Sequence, residues 1–235
     1  MIAIYKRELK AYFLTPIGYI FCGIYLVGSG LIFSYTTLLR QSTTSLPEYF
    51  LYMIAVFGVL IPLLTMKLFA EDRKSRTEQV LLTSPVSLTG MVIGKYFAAL
   101  TVFAVTFLVN SFNFVLLFLY GSPNLASIFA NIFGLFLIGC AFIAIGCFLS
   151  ALTENQLIAA VTSIGTIAAV ILISLVANEI GITWVRVVLK WFSIINRYAP
   201  FTNQQLDITA IVYFISLSAV FLFLTVRVYE KRRWA

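Results

Sequence analysis

The sequence predicts an all-α polytopic membrane protein with six transmembrane helices. Three observations lead to this fold class. Hydrophobic residues make up 61% of the 235 residues and charged residues only 11%, whereas a soluble domain is about half apolar and about a quarter charged. The mean hydropathy is +1.01. The apolar residues are also gathered into long uncharged runs, which indicates that lipid is the main solvent of the chain.

Six of these runs are long enough for a helix to cross the hydrocarbon core, which takes about 20 apolar residues. Helices are the expected elements because backbone groups in lipid must find hydrogen-bond partners within their own segment. The runs cover residues 17–39, 49–66, 96–120, 125–153, 157–177 and 208–226. Because the links between them are short, we expect residues 1–235 to form a single transmembrane domain.

The basic residues predict the orientation of these spans, since cytoplasmic loops carry an excess of Lys and Arg. The formal charge is +7, but the cations flank apolar runs, so we interpret them as topology signals and expect no nucleic-acid partner. With both termini in the cytoplasm, twelve of the sixteen cations are on the inner side, which favours that orientation. The inner group is Lys6, Arg7, Lys10, Lys67, Arg73, Lys74, Arg76, Lys95, Arg227, Lys231, Arg232 and Arg233, and the outer group is Arg40, Arg186, Lys190 and Arg197.

The N-terminal segment, residues 1–15, predicts an amphipathic helix that lies on the inner leaflet. Its apolar and basic residues fall on opposite faces of a helix. The apolar face comprises Ile2, Tyr5, Leu9, Tyr12 and Phe13, and the basic face comprises Lys6, Arg7 and Lys10. Pro16 then ends this helix before the first span begins.

A second amphipathic segment, residues 182–201, precedes the last span. It is too charged to cross the membrane, and its apolar residues repeat at helical spacing, so we expect an outer-surface or re-entrant helix. One face comprises Trp184, Val187, Val188, Trp191, Ile195 and Tyr198, and the other Arg186, Lys190, Ser193 and Arg197.

Three links contain the Ser/Thr-x-x-Glu/Gln spacing of a capping box, in which two side chains satisfy the first N–H groups of a helix. The pairs are Ser45 with Glu48, Thr153 with Gln156, and Thr202 with Gln205. Each pair comes just before an apolar run, so we expect helices to begin there.

The densest group of charges lies between the second and third spans, in residues 67–90. Mixed charges from Glu71 to Glu78 are followed by the apolar Leu81 and Leu82 and then by Pro85. This pattern predicts a short cytoplasmic helix parallel to the membrane, with one wet and one apolar face, that can dock on a cytosolic partner. The alternative is a solvated loop whose charges only maintain topology.

The residue types present argue against an enzyme. The chain has no histidine, and its three cysteines lie in apolar stretches without metal-ligand spacing. The stretch from Gly90 to Lys95 resembles a phosphate-binding loop but has one residue too few between its glycines, and Tyr96 follows where Ser or Thr is required. Gly94 more plausibly allows close helix packing. We therefore expect no catalytic residue, cofactor site or metal site in this chain.

Polar residues inside the spans are few and uncharged. Asn110, Asn113 and Asn131 either tie helices together or line a substrate pathway. No acidic or basic residue lies at mid-depth, which argues against an ion-coupled carrier. Gly139 and Gly146 have a spacing of seven on the fourth span, which suits a close helix contact, either within the core or between subunits.

Residues 71–96, EDRKSRTEQVLLTSPVSLTGMVIGKY, resemble the coupling region of type-2 ABC exporter permeases. In that family the region has paired acids, basic residues, Gly-Thr-x-Glu, leucines, a proline and a Gly-Lys that opens the next span. The matching residues are Glu71, Asp72, Arg73, Lys74, Thr77, Leu81, Leu82, Pro85, Gly94 and Lys95. Two positions depart from the pattern, because Arg76 stands where Gly is usual and Gln79 where Glu is usual.

The resemblance extends to the gliding-motility-associated permease subunits of that family. The segments KRELKAYFLTPIGYI, SALTENQLIA and VYFISLSAVFLFLTVRVYEKRRW are similar to theirs, so the similarity covers essentially the whole chain. It implies six spans, a cytoplasmic coupling helix, an outer helix pair, and a location in the plasma membrane of a prokaryote. It also implies cytosolic ABC ATPase subunits that bind ATP and Mg, and a second permease copy or related permease subunit as partner.

The resemblance implies the function of a permease subunit that couples ATP hydrolysis by a separate ATPase to export of a substrate. The residues implied to carry this coupling are Glu71, Asp72, Arg73, Lys74, Thr77, Leu81 and Leu82. Our hypothesis is that the charged residues hold the coupling helix against the ATPase, while the leucines pack into a cleft on it. The alternative function is a non-transporting membrane anchor for an ATPase in a gliding or cell-envelope machine.

Overall fold

A computed structural model describes residues 1–39, 46–79, 87–120, 124–179 and 183–234. Every regular element within these residues is a helix. In chain order they are α1 (Ile2–Leu14), α2 (Pro16–Phe33, continued by a π-helical turn, Ser34–Leu38), α3 (Leu46–Thr65), α4 (Lys67–Lys74), α5 (Leu88–Asn110), α6 (Asn113–Tyr120), α7 (Leu125–Leu152), α8 (Gln156–Glu179), α9 (Thr183–Phe192), α10 (Ile194–Thr202) and α11 (Ile208–Trp234).

Six helical stretches are long and apolar enough to cross a membrane, which confirms the predicted fold class. They are Pro16–Thr37, Leu46–Lys74, Leu88–Phe118, Leu125–Leu152, Gln156–Ala177 and Ile208–Arg233. The chain is thus a multi-pass membrane protein. We call the end of the bundle that carries α1, α4 and the last turn of α11 the basic end, and the end that carries α9 and α10 the far end.

The third span begins earlier than its uncharged run. Ser87 accepts a hydrogen bond from the N–H of Gly90 at 3.2 Å and starts α5 at Leu88. The last residues of the predicted coupling segment, residues 67–90, therefore belong to α5. As a result Lys95 lies two turns inside α5 and is buried, whereas a charge count alone places it at the membrane surface.

Helix α7 is the centre of the bundle and packs against α3, α4, α5, α8, α10 and α11. Its glycines allow this close packing. A Cβ on Gly139 would overlap the ring of Phe103 in α5, and a Cβ on Gly146 would overlap Thr65 in α3. The predicted close contact at this spacing is therefore present, and it lies within the core of one chain.

The N-terminal helix has the predicted exposed cations but a different buried face. Ile4, Glu8 and Tyr12 face inward, while Ile2 is 70% exposed. Helix α1 packs on α5, where Gly94 leaves room for it: a Cβ on Gly94 would come within 3.2 Å of the backbone oxygen of the first residue. The predicted packing role of Gly94 is confirmed. The buried face differs because α1 packs against two helices, α2 and α5.

The outer amphipathic segment forms two helices where its pattern predicts one. Ser193 accepts a hydrogen bond from the N–H of Asn196 at 3.1 Å and starts α10 as a new helix. The predicted apolar face is therefore divided. Trp184 and Trp191 are exposed, whereas Tyr198 is fully buried.

The predicted capping boxes are not used where the structure describes them. Thr153 follows the end of α7, and Asn155 instead accepts the second backbone N–H of α8 at 2.9 Å. Thr202 is the last residue of α10, and Asp207 instead accepts the second N–H of α11 at 2.9 Å. Ser45 lies outside the described residues. Capping by a single Asx side chain needs no partner three residues on, so the box pattern missed both helix starts.

Candidate coupling site

Helix α4 continues the second span toward the basic end after a break at Met66. Leu68, Phe69 and Ala70 are buried where α4 packs on α7. The following residues from 71 to 77 form an exposed or half-exposed edge. Of the predicted coupling residues, Glu71, Asp72, Arg73, Lys74 and Thr77 lie along this edge, and Leu81 and Leu82 lie outside the described residues.

Ser150 of α7 satisfies the backbone at the break between α3 and α4. Its buried hydroxyl accepts hydrogen bonds from the N–H groups of Phe69 and Ala70, both at 3.2 Å, and donates to the carbonyl of Met66 at 2.9 Å. These groups would be unpaired at an interrupted helix, and burying them unpaired is costly. One side chain of α7 therefore fixes the position of α4.

Lys95 is the most deeply buried cation of the described residues, with 1% of its side chain exposed. Its ammonium lies 2.6 Å from Oδ2 of Asp72 and 3.0 Å from Oε1 of Glu8. It also donates to the carbonyl of Leu68 at 2.5 Å and lies 5.2 Å from the ring centroid of Phe69. A buried ammonium is tolerated only with such partners, so this contact joins α1, α4 and α5.

Arg7 completes a group of two cations and two carboxylates, which we call the Lys95 network: Arg7, Glu8, Asp72 and Lys95. The guanidinium of Arg7 lies 2.6 Å from Glu8 and 3.4 Å from Asp72. Each carboxylate therefore contacts both cations, and the formal charges of the group cancel. This balance lets the group lie at the edge of the bundle core without an uncompensated charge.

The turn after α4 has a left-handed residue. Arg76 has φ +58°, a conformation that glycine adopts without steric cost. This explains why the resembling family has glycine at the position that Arg76 occupies. The turn returns Thr77 to α4, where its hydroxyl donates to Oδ1 of Asp72 at 2.9 Å.

Two further ion pairs attach α4 and the turn after it to other parts of the bundle. Arg73 lies 2.6 Å from Glu154, in the link between α7 and α8, and donates to the carbonyl of Leu152 at 3.2 Å. Glu78 lies 3.1 Å from Arg232 in the last turns of α11. Arg232 also donates to a backbone carbonyl at the end of α7. Through these contacts the segment reaches the fourth span, the link that follows it, and the sixth span.

A second buried cation, Lys67, lies at the start of α4. Its ammonium donates to the hydroxyl of Thr15 at 2.9 Å and lies 3.7 Å from the carboxylate of Glu71. Next to it, the hydroxyl of Tyr12 donates to the carbonyl of Leu64 at 2.8 Å. These bonds attach the end of α1 to the junction of α3 and α4.

Sequence reasoning named Asp72 and Arg73 but did not pair them with Arg7, Lys95 and Glu154. One signal was available for the Lys95 network. Lys95 is the lone charge in the helix Leu88–Asn110, and a charge in such a helix requires a partner. The identity of that partner depends on how α1 packs, which the sequence pattern does not reveal.

The predicted polar residues of the membrane interior make hydrogen bonds between helices. Asn110 of α5 donates to the hydroxyl of Tyr49 in α3 at 2.9 Å and accepts from Ser29 in α2 at 2.6 Å and from Asn113 at 2.8 Å. We call Ser29, Tyr49, Asn110 and Asn113 the Asn110 cluster. These contacts tie three spans together, whereas lining of a substrate pathway stays a prediction.

The third predicted asparagine joins the bundle to the far end. Oδ1 of Asn131 in α7 accepts from the hydroxyl of Tyr198 in α10 at 2.7 Å. Gly134, one turn later, leaves room for Phe201, because a Cβ there would come within 2.7 Å of its ring. The short helix α10 is therefore docked on the fourth span.

Neither a metal site nor a cysteine pair is found within the described ranges. No group of three or more His, Cys, Asp or Glu residues there could hold a metal ion. Cys22, Cys140 and Cys147 are free thiols.

Comparison with known proteins assigns the chain to a family. The sequence model of the family described as ABC-2 family transporter protein matches residues 22–234, from within the first span to the end of the sixth. No curated protein matches the chain. The match covers far more than half of the sequence. The chain therefore belongs to the ABC-2 family of transporter proteins, as a membrane permease component of an ABC transporter.

Proposed function

We propose that this chain is the permease subunit of an ATP-driven exporter and that its ATPase is a separate cytosolic polypeptide, which binds ATP and Mg. A second permease copy or a related permease subunit completes the transporter. The basic end faces the cytoplasm of a prokaryote, with both termini inside. Family membership, the six spans and the excess of cations at the basic end support this proposal.

One observation carries the coupling role: α4 with the turn after it, residues 67–78, is bonded to most of the bundle. The Lys95 network attaches it to α1 and α5, Ser150 attaches it to α7, and Arg232 attaches it to α11. A push on this edge is therefore distributed over several spans at once. A mechanical input at α4 can shift the bundle between two packings, because packed cores do not deform continuously.

The contacts divide the predicted coupling residues into two groups. Asp72 and Arg73 bond to the permease itself, so they hold α4 in place. Glu71 and Lys74, with their neighbour Arg76, take no part in these bonds and are exposed. We assign the contact with the ATPase to this exposed group and to the predicted leucines Leu81 and Leu82.

The experiment is a charge reversal of the exposed group in a reconstituted complex. The chain, purified from its native membrane with an affinity tag, is expected to bring an ABC ATPase with it. In liposomes, Glu71→Arg with Lys74→Glu is expected to abolish stimulation of that ATPase by the permease. Lys10→Glu, an exposed charge at the same end on α1, is the matched control and is expected to leave stimulation unchanged.

The result also decides between the two functions. Directional, ATP-dependent movement of a substrate supports export, and ATPase activity without flux over varied substrates supports the membrane-anchor function. Full stimulation by the reversed variant would show that the edge of α4 is not the contact with the ATPase. Failure of any ABC ATPase to co-purify would overturn the proposed function itself.

Orientation is tested separately with single cysteines in a variant that lacks Cys22, Cys140 and Cys147. A cysteine at Ser75 lies on the exposed edge of α4, and one at Leu206 lies in the exposed link between α10 and α11. In intact cells an impermeant maleimide is expected to label the cysteine at 206 and not the one at 75. The reverse labelling pattern would invert the topology.

A further inference from the structure

The far end contains a cavity lined by cations, remote from the coupling site. Lys190 and Trp191 of α9, with Asn196 and Arg197 of α10, line a cavity of about 310 Å³. The two helices meet at Ser193, whose cap on α10 turns residues 196 and 197 toward the end of α9. The break between the helices, which the sequence pattern did not predict, thus creates the cavity.

Two hydrogen-bond donors on residues that line this cavity have no partner within the part of the chain that the structure describes. They are Nδ2 of Asn196 and Nε of Arg197, and both atoms are buried. Leaving a charged donor buried without an acceptor is costly. Two of the four residues that line the cavity therefore carry an unmatched donor, and the protein beside the cavity is short of acceptors.

The guanidinium of Arg197 is held by stacking rather than by ion pairing. It lies 5.4 Å from the ring centroid of Trp191 and 5.5 Å from that of Tyr213 in α11. Stacking occupies the faces of the guanidinium and leaves its edge, which carries the N–H donors, for an anion. Arg197 is thus oriented before any ligand binds.

The positive charge of the cavity also favours an anionic ligand. Neither Lys190 nor Arg197 forms an ion pair with any carboxylate in the described ranges. The Asp207 carboxylate caps α11 by accepting the N–H of Thr209. Hydrogen bonding to Thr209, with a smaller contribution from the charge of Arg197, lowers the pKa of Asp207, but Asp207 and Arg197 form no ion pair. Two cations and an amide donor around one small cavity fit a group with several acceptor oxygens and a negative charge.

We propose that Lys190, Asn196 and Arg197 bind a phosphate group at the far end of the bundle. The position of this cavity relative to the membrane–water interface fits a phospholipid headgroup. Trp184 and Trp191 are 72% and 65% exposed on the same helix, and exposed tryptophans on an amphipathic helix lie at the membrane–water interface. A soluble phosphate-bearing anion has the same chemistry and reaches the cavity from the water side.

Two measurements distinguish these sources, both on the full-length protein. In nanodiscs of phosphatidylcholine with phosphatidylglycerol, native mass spectrometry counts the phosphatidylglycerol that remains bound. In detergent, the midpoint of thermal unfolding is measured with inorganic phosphate and with chloride at the same ionic strength. The variants are Arg197→Gln and Lys190→Gln, and the second changes an exposed residue and is expected to leave folding intact.

The matched control is Arg227→Gln at the opposite end. Arg227 also lies over an aromatic ring, 4.9 Å from the centroid of Phe223, but it is ion-paired to Glu230. The wild type and this control are expected to bind equally, whereas Arg197→Gln and Lys190→Gln are expected to bind about tenfold more weakly. The loss is expected in nanodiscs for a lipid headgroup and in the phosphate titration for a soluble anion.

Equal binding by all four proteins in both measurements would overturn the proposal. An equal loss in Arg227→Gln would overturn it as well, because binding would then follow net charge rather than this cavity. Full binding by Arg197→Gln would overturn the proposal too. None of these outcomes depends on the ATPase, so the proposed function is tested independently.

Discussion

Two groups of buried polar side chains hold this bundle together, and they differ in charge. The Lys95 network at the basic end joins α1, α4 and α5 through ion pairs. The Asn110 cluster in the membrane interior joins α2, α3 and α5 through neutral hydrogen bonds. Both groups use a side chain of α5, about four turns apart. One helix therefore connects the coupling site with the membrane interior.

This difference in charge indicates how the helices around each group can move. Amides and hydroxyls both donate and accept, so a neutral cluster can exchange one partner for another as helices shift. A buried cation that leaves its carboxylates becomes an uncompensated charge. We therefore expect α1, α4 and the start of α5 to move as a unit, while the spans around Asn110 change their packing more readily.

The largest effect is expected from Lys95→Met. This change leaves the buried Glu8 and the partly exposed Asp72 with only Arg7 as a cation, and breaking a buried pair in this way costs about 3–5 kcal/mol. The free energy of unfolding in mixed detergent micelles measures the loss. The triple variant with Glu8→Gln and Asp72→Asn removes all three charges and is expected to recover most of it. A loss below about 1 kcal/mol in the single variant would contradict the importance of this network.

Asp72→Asn is expected to have the next largest effect, about 2 kcal/mol, because one acceptor of charge-assisted hydrogen bonds is removed while Glu8 still pairs with Lys95. Glu71→Gln is its neighbour control and is expected to cost less than about 1 kcal/mol, since its carboxylate is half exposed and its ion pair is long. Both are read by unfolding in micelles and by ATPase stimulation. An equal cost for the two variants would contradict the division between residues that hold α4 in place and residues that contact the ATPase.

Asn110→Leu tests the contribution of the neutral Asn110 cluster. It is expected to lower the free energy of unfolding by about 1 kcal/mol, because hydrogen bonds between membrane helices contribute little once alternative partners are counted. Asn113→Leu removes only one bond of the cluster and is expected to cost less. A cost for Asn110→Leu as large as that of Lys95→Met would show that charge does not distinguish the two groups.

The smallest effect is expected from Arg76→Gly. This variant should be more stable than the wild type, whereas the variants above should be less stable. Glycine relieves the left-handed backbone strain at φ +58° but gains more freedom in the unfolded chain, so the net stabilisation is about 0.5 kcal/mol. The midpoint of thermal unfolding should rise slightly. Ser75→Gly, one position earlier in an ordinary conformation, should lower it, and the same response in both variants would refute the strain.

Much of the fold could be predicted because lipid imposes a simple requirement. Any segment of about 20 apolar residues becomes a span, and all six runs did. Helix ends were less predictable: Asn155 and Asp207 cap α8 and α11 in place of the expected threonines. A cap depends on local backbone geometry that several short polar residues can supply equally well.

The coupling site was predicted in position but not in its contacts. The resemblance located the α4 edge, and α4 does lie there, yet Asp72 and Arg73 turned out to bond inward. The charge pattern could not distinguish a solvated carboxylate from a paired one. That distinction depends on whether a cation such as Lys95 lies within reach.

The amino-acid sequence alone established the number of spans, their boundaries to within a turn or two, and the excess of cations at one end, because each follows from the solvation of a single segment. The pairing of Lys95 with Glu8, 87 positions away, and the cavity around Arg197 both required the packed structure. Their partners come from helices that are distant in the chain, and only the packing of α1 on α5 and the break between α9 and α10 bring them together.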